Sequence, residues 1–158
     1  MIVVETRFYP IVLLSYRGQA RSEADHRAAL TQLEALGRKA QREGTRHVAI
    51  TLGGAGIAAS ERQTVARLME SFPKDLLDLY LASYVVIDSA LLRGMFTALK
   101  WLSPKLSGIE PIASAELAVS AAVATLEAHG TPAGDGILQG VRYWLLMEMK
   151  RSGVAVES

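Results

Sequence analysis

The chain has 158 residues, half of them apolar and about a fifth charged, the profile of one folded domain that builds a core without staples. Seventeen lysines and arginines against sixteen acids leave a net charge of +1, which excludes an overall electrostatic pull toward nucleic acid or an acidic membrane. Cysteine is absent; disulfides, thiolate nucleophiles and cysteine-based metal sites go with it, and a reducing cytoplasm is the expected location.

The opening MIVVETRF has no basic segment leading into a long apolar run, so no secretory signal is expected. No stretch reaches the roughly 18 uninterrupted apolar residues of a spanning helix. The best candidate, YLASYVVIDSALL, is broken by Asp88. No membrane span is expected.

IVVETRFYP and IVLLSYRGQ read as two strands joined at Pro10, β-branched and aromatic-rich. Ser22 stands where an N-cap belongs, ahead of a helix in which Leu30, Leu33, Gly37 and Ala40 recur at helical spacing and which Gly44 ends. RHVAITL is a short apolar strand. From Ser60, the residues Val65, Leu68, Met69 and Phe72 form another helical stripe. Pro73 ends or kinks that helix, and DLLDLY is a candidate continuation.

ASYVVID is the next strand, followed by the helix SALLRGMFTALKWLS with Pro104 as its stop. GIEPIA reads as an edge strand, since Pro111 would interrupt an inner ladder. Ser114 caps AELAVSAAVATLEAHG. The order β-β-α-β-α-β-α-β-α predicts an α/β fold: a mostly parallel sheet, packed by helices, with an antiparallel pair at the N-terminus. Residues 130–136, GTPAGDG, read as a linker. Beyond them ILQGVRYWLLMEMKR predicts a helix in a separate extension over 137–158, apolar around most of its circumference and so in need of cover on more than one face.

Little in the chain points to catalysis. His26, His47 and His129 are dispersed, and none has a histidine or carboxylate at metal-ligand spacing. His26 falls near the Leu30 and Leu33 face, the setting of a structural histidine. The carboxylates scatter over predicted helix surfaces, where solvation is the ordinary reading. No nucleophile elbow, zinc-protease helix or phosphate-loop sequence occurs. The expectation is a non-enzymatic protein with no metal and no cofactor.

The stretch GGAGIAASERQ, residues 53–63, draws the most attention. It follows a strand and leads into a helix, the right context for holding an anion, but it lacks the glycine spacing and the lysine of a nucleotide site. A plain turn is the simpler reading. Ser60 has two compatible readings. As an N-cap, with Gln63 reaching back, its hydroxyl contributes about 1 kcal/mol. As an exposed hydroxyl it is a candidate phosphoacceptor, where a phosphate would add nearly two negative charges. Trp101 falls off the apolar stripe of Leu91, Met95, Leu99 and Leu102, while Arg93 and Lys100 gather on another side of the same helix.

Over roughly residues 1–129 this order of elements resembles the STAS domain, the fold of bacterial anti-sigma-factor antagonists. Within that superfamily the chain is most similar to the STAS/SEC14 (SpoIIAA-like) proteins. The closer likeness rests on VVIDSALLRGMFTALKWLSP, with Arg93-Gly94, Thr97-Ala98 and Trp101, then EPI and a final helix. The resemblance implies a regulatory protein-interaction module and assigns the phosphoacceptor to Ser60. The usual aspartate before that serine is Ala59 here, and the acidic residue ending the strand is Thr51. Asp88-Ser89 has the missing dipeptide but follows the next strand.

The expected contact surface comprises Gly53, Gly54, Gly56, Arg93, Lys100 and Trp101, with Trp144 from the C-terminal helix. The expected partner is a protein of unknown identity, together with a second copy in a homodimer that the C-terminal helix helps to build. The alternative implied by the SEC14 likeness is a carrier of an apolar small molecule or lipid, which would need an enclosed apolar pocket.

Overall fold

The computed structural model describes residues 1–18, 21–53, 59–102 and 108–152, with side chains described for all of these but 59, 60, 62, 99–102 and 152. Five strands form one sheet in sequential order: β1 (Ile2–Glu5), β2 (Ile11–Tyr16), β3 (His47–Leu52), β4 (Tyr80–Val86) and β5 (Ile109–Ile112). β1 runs antiparallel to β2, with Ile2 opposite Tyr16, across a turn holding the cis Tyr9-Pro10 bond. Every other pairing is parallel. The expected α/β sheet is present, and β5 with Pro111 lies at its edge.

β2 shows why its run of apolar residues is nearly continuous. Ile11 and Leu13 enter one cluster, while Val12 and Leu14 enter the cluster on the opposite face. A strand covered on both sides has no solvent face to mark with polar residues.

On one face lies α1 (Glu23–Glu43), whose Leu33 and Leu36 pack on Val12, Leu14 and Ala49. Its start is a capping box. Ser22 Oγ accepts from the Asp25 amide at 3.1 Å, and the Asp25 carboxylate accepts from the Ser22 amide at 2.9 Å. α2 (Ala59–Glu70) and a short α3 (Lys74–Leu77) pack against α1. Pro73 stands in extended backbone as the N-cap of α3, so DLL forms its own turn rather than continuing α2. Leu76 of α3 lies against Gly37, which explains a glycine within the α1 apolar stripe.

The other face is covered by α5 (Ala115–Ala128), capped by Ser114, and α6 (Asp135–Ser152). Ala118 and Ala122 are fully buried and let α5 approach the sheet closely, while Tyr84 of β4 hydrogen-bonds Thr125 at 2.6 Å. Here the sequence expectation is corrected: α6 is not detached from the alternating core. Val141 and Leu145 are buried in the same cluster as Ile11, Leu13 and Ile50, and Phe8 packs against Gly140. α6 begins at Asp135, inside the stretch read as linker. The remaining helix, α4 (Ala90–Leu102), joins β4 to β5 and packs against β5. Among the described residues no helix is long and apolar enough to cross a membrane.

Candidate interaction surface

β3 and β4 end side by side, Leu52 opposite Val86. Gly53 and Ile87, the first residues past these strands, therefore leave the sheet side by side. Gly53 has φ +77°, and a Cβ on it would lie 2.8 Å from the Tyr16 carbonyl oxygen. Both facts require glycine at this turn out of the strand. Gly54 and Gly56 lie outside the described residues. α2 begins at Ala59, so Ser60 is its second residue and not its cap, while the hydroxyl lies outside the described side chains.

The next residue, Glu61, is almost fully buried and holds the start of α2 in place. It receives Arg21 Nε at 2.6 Å and Arg21 Nη2 at 3.1 Å, a bidentate pair with both side chains nearly inaccessible. His26 Nε2 lies 2.9 Å from the same carboxylate. An ionised carboxylate only accepts, so the proton sits on that nitrogen. Arg21 Nη1 donates to the Gly18 carbonyl at 2.7 Å, and the guanidinium lies 5.4 Å from the centre of the Tyr16 ring. The arginine hydrogen bonds above all, with help from His26, hold the Glu61 carboxyl below its ordinary range despite burial. One network thus ties the end of β2, the start of α1 and the start of α2.

A second buried acid lies on the opposite face. Glu148 of α6 pairs with Arg17, just past β2, and with Arg151 at 3.0 Å. Burial raises its pKa, but hydrogen bonds from Arg17, Ser15 and Arg151 outweigh that and lower it. The reading of carboxylates as solvated is corrected at Glu61 and Glu148. Neither acid is distinguished by local sequence, because each gains its arginine from a different element. The only trace was His26 on an apolar helix face.

α4 carries exposed apolar residues: Leu91 is 75% exposed, Met95 57% and Leu92 39%. Arg93 is half-buried and donates from Nη1 to the carbonyls of Ile87 and Asp88, each at 2.6 Å. It anchors the first turn of α4 and does not project as a free charge. Lys100 and Trp101 lie in α4, with side chains outside the described set. Trp144 is half-buried against the chain's own core rather than gathered with the α4 residues.

Other polar features belong to the core or to open surface. His47 is fully buried between the rings of Tyr9, 5.9 Å away, and Tyr80, 4.2 Å away. Neither ring nitrogen has a hydrogen-bond partner among the described residues, and burial pushes its pKa down to about 4. His129 caps the end of α5, its Nδ1 2.8 Å from the Thr125 carbonyl. A groove of about 390 Å³ beside Tyr9 opens to solvent and is lined by Thr6, Gln32, Lys39 and Glu43 as well as Leu36. No cluster of three histidines or carboxylates able to hold a metal occurs among the described residues.

These features define a class: an α/β protein with a five-stranded mixed sheet, a tightly anchored start of α2 and a helix, α4, that packs on the edge strand β5 while Leu91, Leu92 and Met95 stay exposed. Comparisons with protein-family models, curated proteins and solved structures give no significant match.

Proposed function

We propose that this chain is a non-enzymatic regulatory module of the STAS-like kind, acting by contact with another protein. The contact surface combines the segment from Gly53 into α2 with the outward face of α4. The observation that carries this reading is the exposure of Leu91, Leu92 and Met95 on one helix face. Contiguous apolar surface of this kind marks a binding site more often than a tolerated defect. The Arg21–Glu61–His26 network supports it by fixing the start of α2, and a contact element binds better when it is held in place beforehand.

Ser60 is the proposed point of regulation. Added negative charge at the first turn of α2 is compatible with the helix dipole, yet alters the surface a partner would meet. The carrier reading draws no support from the Tyr9 groove, which is open to solvent rather than enclosed and whose apolar lining is interrupted by Thr6, Gln32, Lys39 and Glu43.

The test is affinity capture from the source cell with wild type and Ser60→Asp, thermal melts alongside. A discrete protein retained by wild type and lost by an equally stable Ser60→Asp is the expected result. Equal capture by both would remove Ser60 from the contact.

A further inference from the structure

We infer that the outward face of α4 is a self-docking surface and that its occupant is a second copy of this chain. The inference deepens the binding-module reading, on which it rests, by assigning the α4 half of the surface to dimerisation. Two rows run side by side along this face. Leu91 and Met95, four residues apart, form a ridge; Ala90, Gly94 and Ala98, also spaced by four, form a shallow row next to it. All five are exposed, and among the described residues a Cβ added to Gly94 would meet nothing within 4 Å. With respect to those residues the shallow row is open space on the monomer.

Rows spaced by four on one helix pack into grooves spaced by four on another. A two-fold axis through α4 lays the ridge of each copy over the shallow row of the other, so a single surface supplies both halves of the contact. Charge agrees with a self-pairing. Arg93, the one charged side chain described on α4, points to the Ile87 and Asp88 carbonyls, so two copies bring no described like charges together. One helix pair covers less than the roughly 800 Å² per partner of a standard complex, so a weak, concentration-dependent association is expected.

Sedimentation equilibrium of the full chain over a wide concentration range tests this directly. Wild type is expected to move from 17.1 kDa toward twice that mass. Met95→Glu enters a symmetric contact twice and should weaken dimerisation by about 100-fold or more. Gly94→Leu separates docking from mere stickiness: it adds apolar surface yet fills the shallow row, so docking predicts weaker association and stickiness predicts stronger. Gly94→Cys gives a chain with one cysteine, because the protein has none of its own, and mild oxidation should link two copies. These positions are exposed, and circular dichroism melts verify that each variant folds. A wild type that stays monomeric at every concentration overturns the inference while leaving capture of another protein intact. A dimer indifferent to Met95→Glu and Gly94→Leu uses another face and overturns it equally.

Discussion

Arg21 and Glu61, forty residues apart in sequence, share a bidentate ion pair with hardly any solvent around it. The pair, with His26, is what holds α2 to the β2–α1 connection. Removing one partner leaves a buried charge uncompensated, which typically costs about 3–5 kcal/mol. Glu61→Gln is expected to lose stability on that scale in urea titrations, with hydrogen exchange accelerating first in residues 21–26 and 61–66. A loss confined to a few tenths of a kcal/mol would mean that Arg21 finds other compensation. The acid side follows from the same contact. Because the folded Glu61 pKa is lowered, its contribution is complete above the unfolded carboxyl value and disappears as pH falls through the folded one.

His47 should act in a different pH window. Its pKa of about 4 in the folded state lies below the usual 6.5. Above pH 6.5 both states are neutral at this ring; below it the unfolded chain takes up a proton that the folded chain refuses. Stability is therefore lost as pH falls from 6.5 toward 4, by about 3 kcal/mol at the low end. His47→Phe keeps a ring between Tyr9 and Tyr80 and removes two buried nitrogens that have no partner among the described residues. The variant should be at least as stable near neutrality, and the slope between pH 6.5 and 4 should flatten. An unchanged slope would assign that titration to another group.

Gly53→Ala combines two penalties at one position. The new Cβ sits at positive φ and 2.8 Å from the Tyr16 carbonyl oxygen, a backbone atom that cannot swing aside. A loss of about 1–3 kcal/mol is expected from calorimetry. Gly94→Ala in α4, with no described residue within 4 Å of the added Cβ and alanine the better helix former, is the control and should be neutral or stabilising in the monomer.

Leu145→Ala probes whether α6 belongs to the core. Leu145 is buried in the cluster that includes Ile11 and Leu13, so truncation should cost about 2–5 kcal/mol. Ending the chain after Gly130 would uncover Val119, Leu126 and the sheet face and should abolish a cooperative melt. A truncated protein that still melts sharply would restore the view of α6 as an appendage.

Local signals located the elements well, because they are written within a few residues of one another. Ser22 and Ser114 are caps, Gly44 is the left-handed stop, and Pro111 marks the edge strand. The same signals failed where two adjacent rules competed. At Pro73 the α2 stripe and the following DLL read as one helix, whereas the proline's fixed φ starts a new turn. At Ser60 the serine read as a cap lies one residue inside the helix, since Ala59 already has helical backbone.

By itself, then, the sequence determined the α/β class, the strand order along the chain, the antiparallel start and the glycine turn at residue 53, all consequences of short-range sterics and hydrophobic periodicity. Only the tertiary structure decided which faces those elements present. Periodicity states that α4 and α6 have apolar sides, but not what lies opposite them. Packing turned Val141 and Leu145 of α6 into the core and left Leu91 and Met95 of α4 outside. It also gave Glu61 and Glu148 their arginines from distant segments, turning two ordinary-looking helix acids into buried anchors. Burial and charge pairing are properties of neighbours, and neighbours are made by the fold.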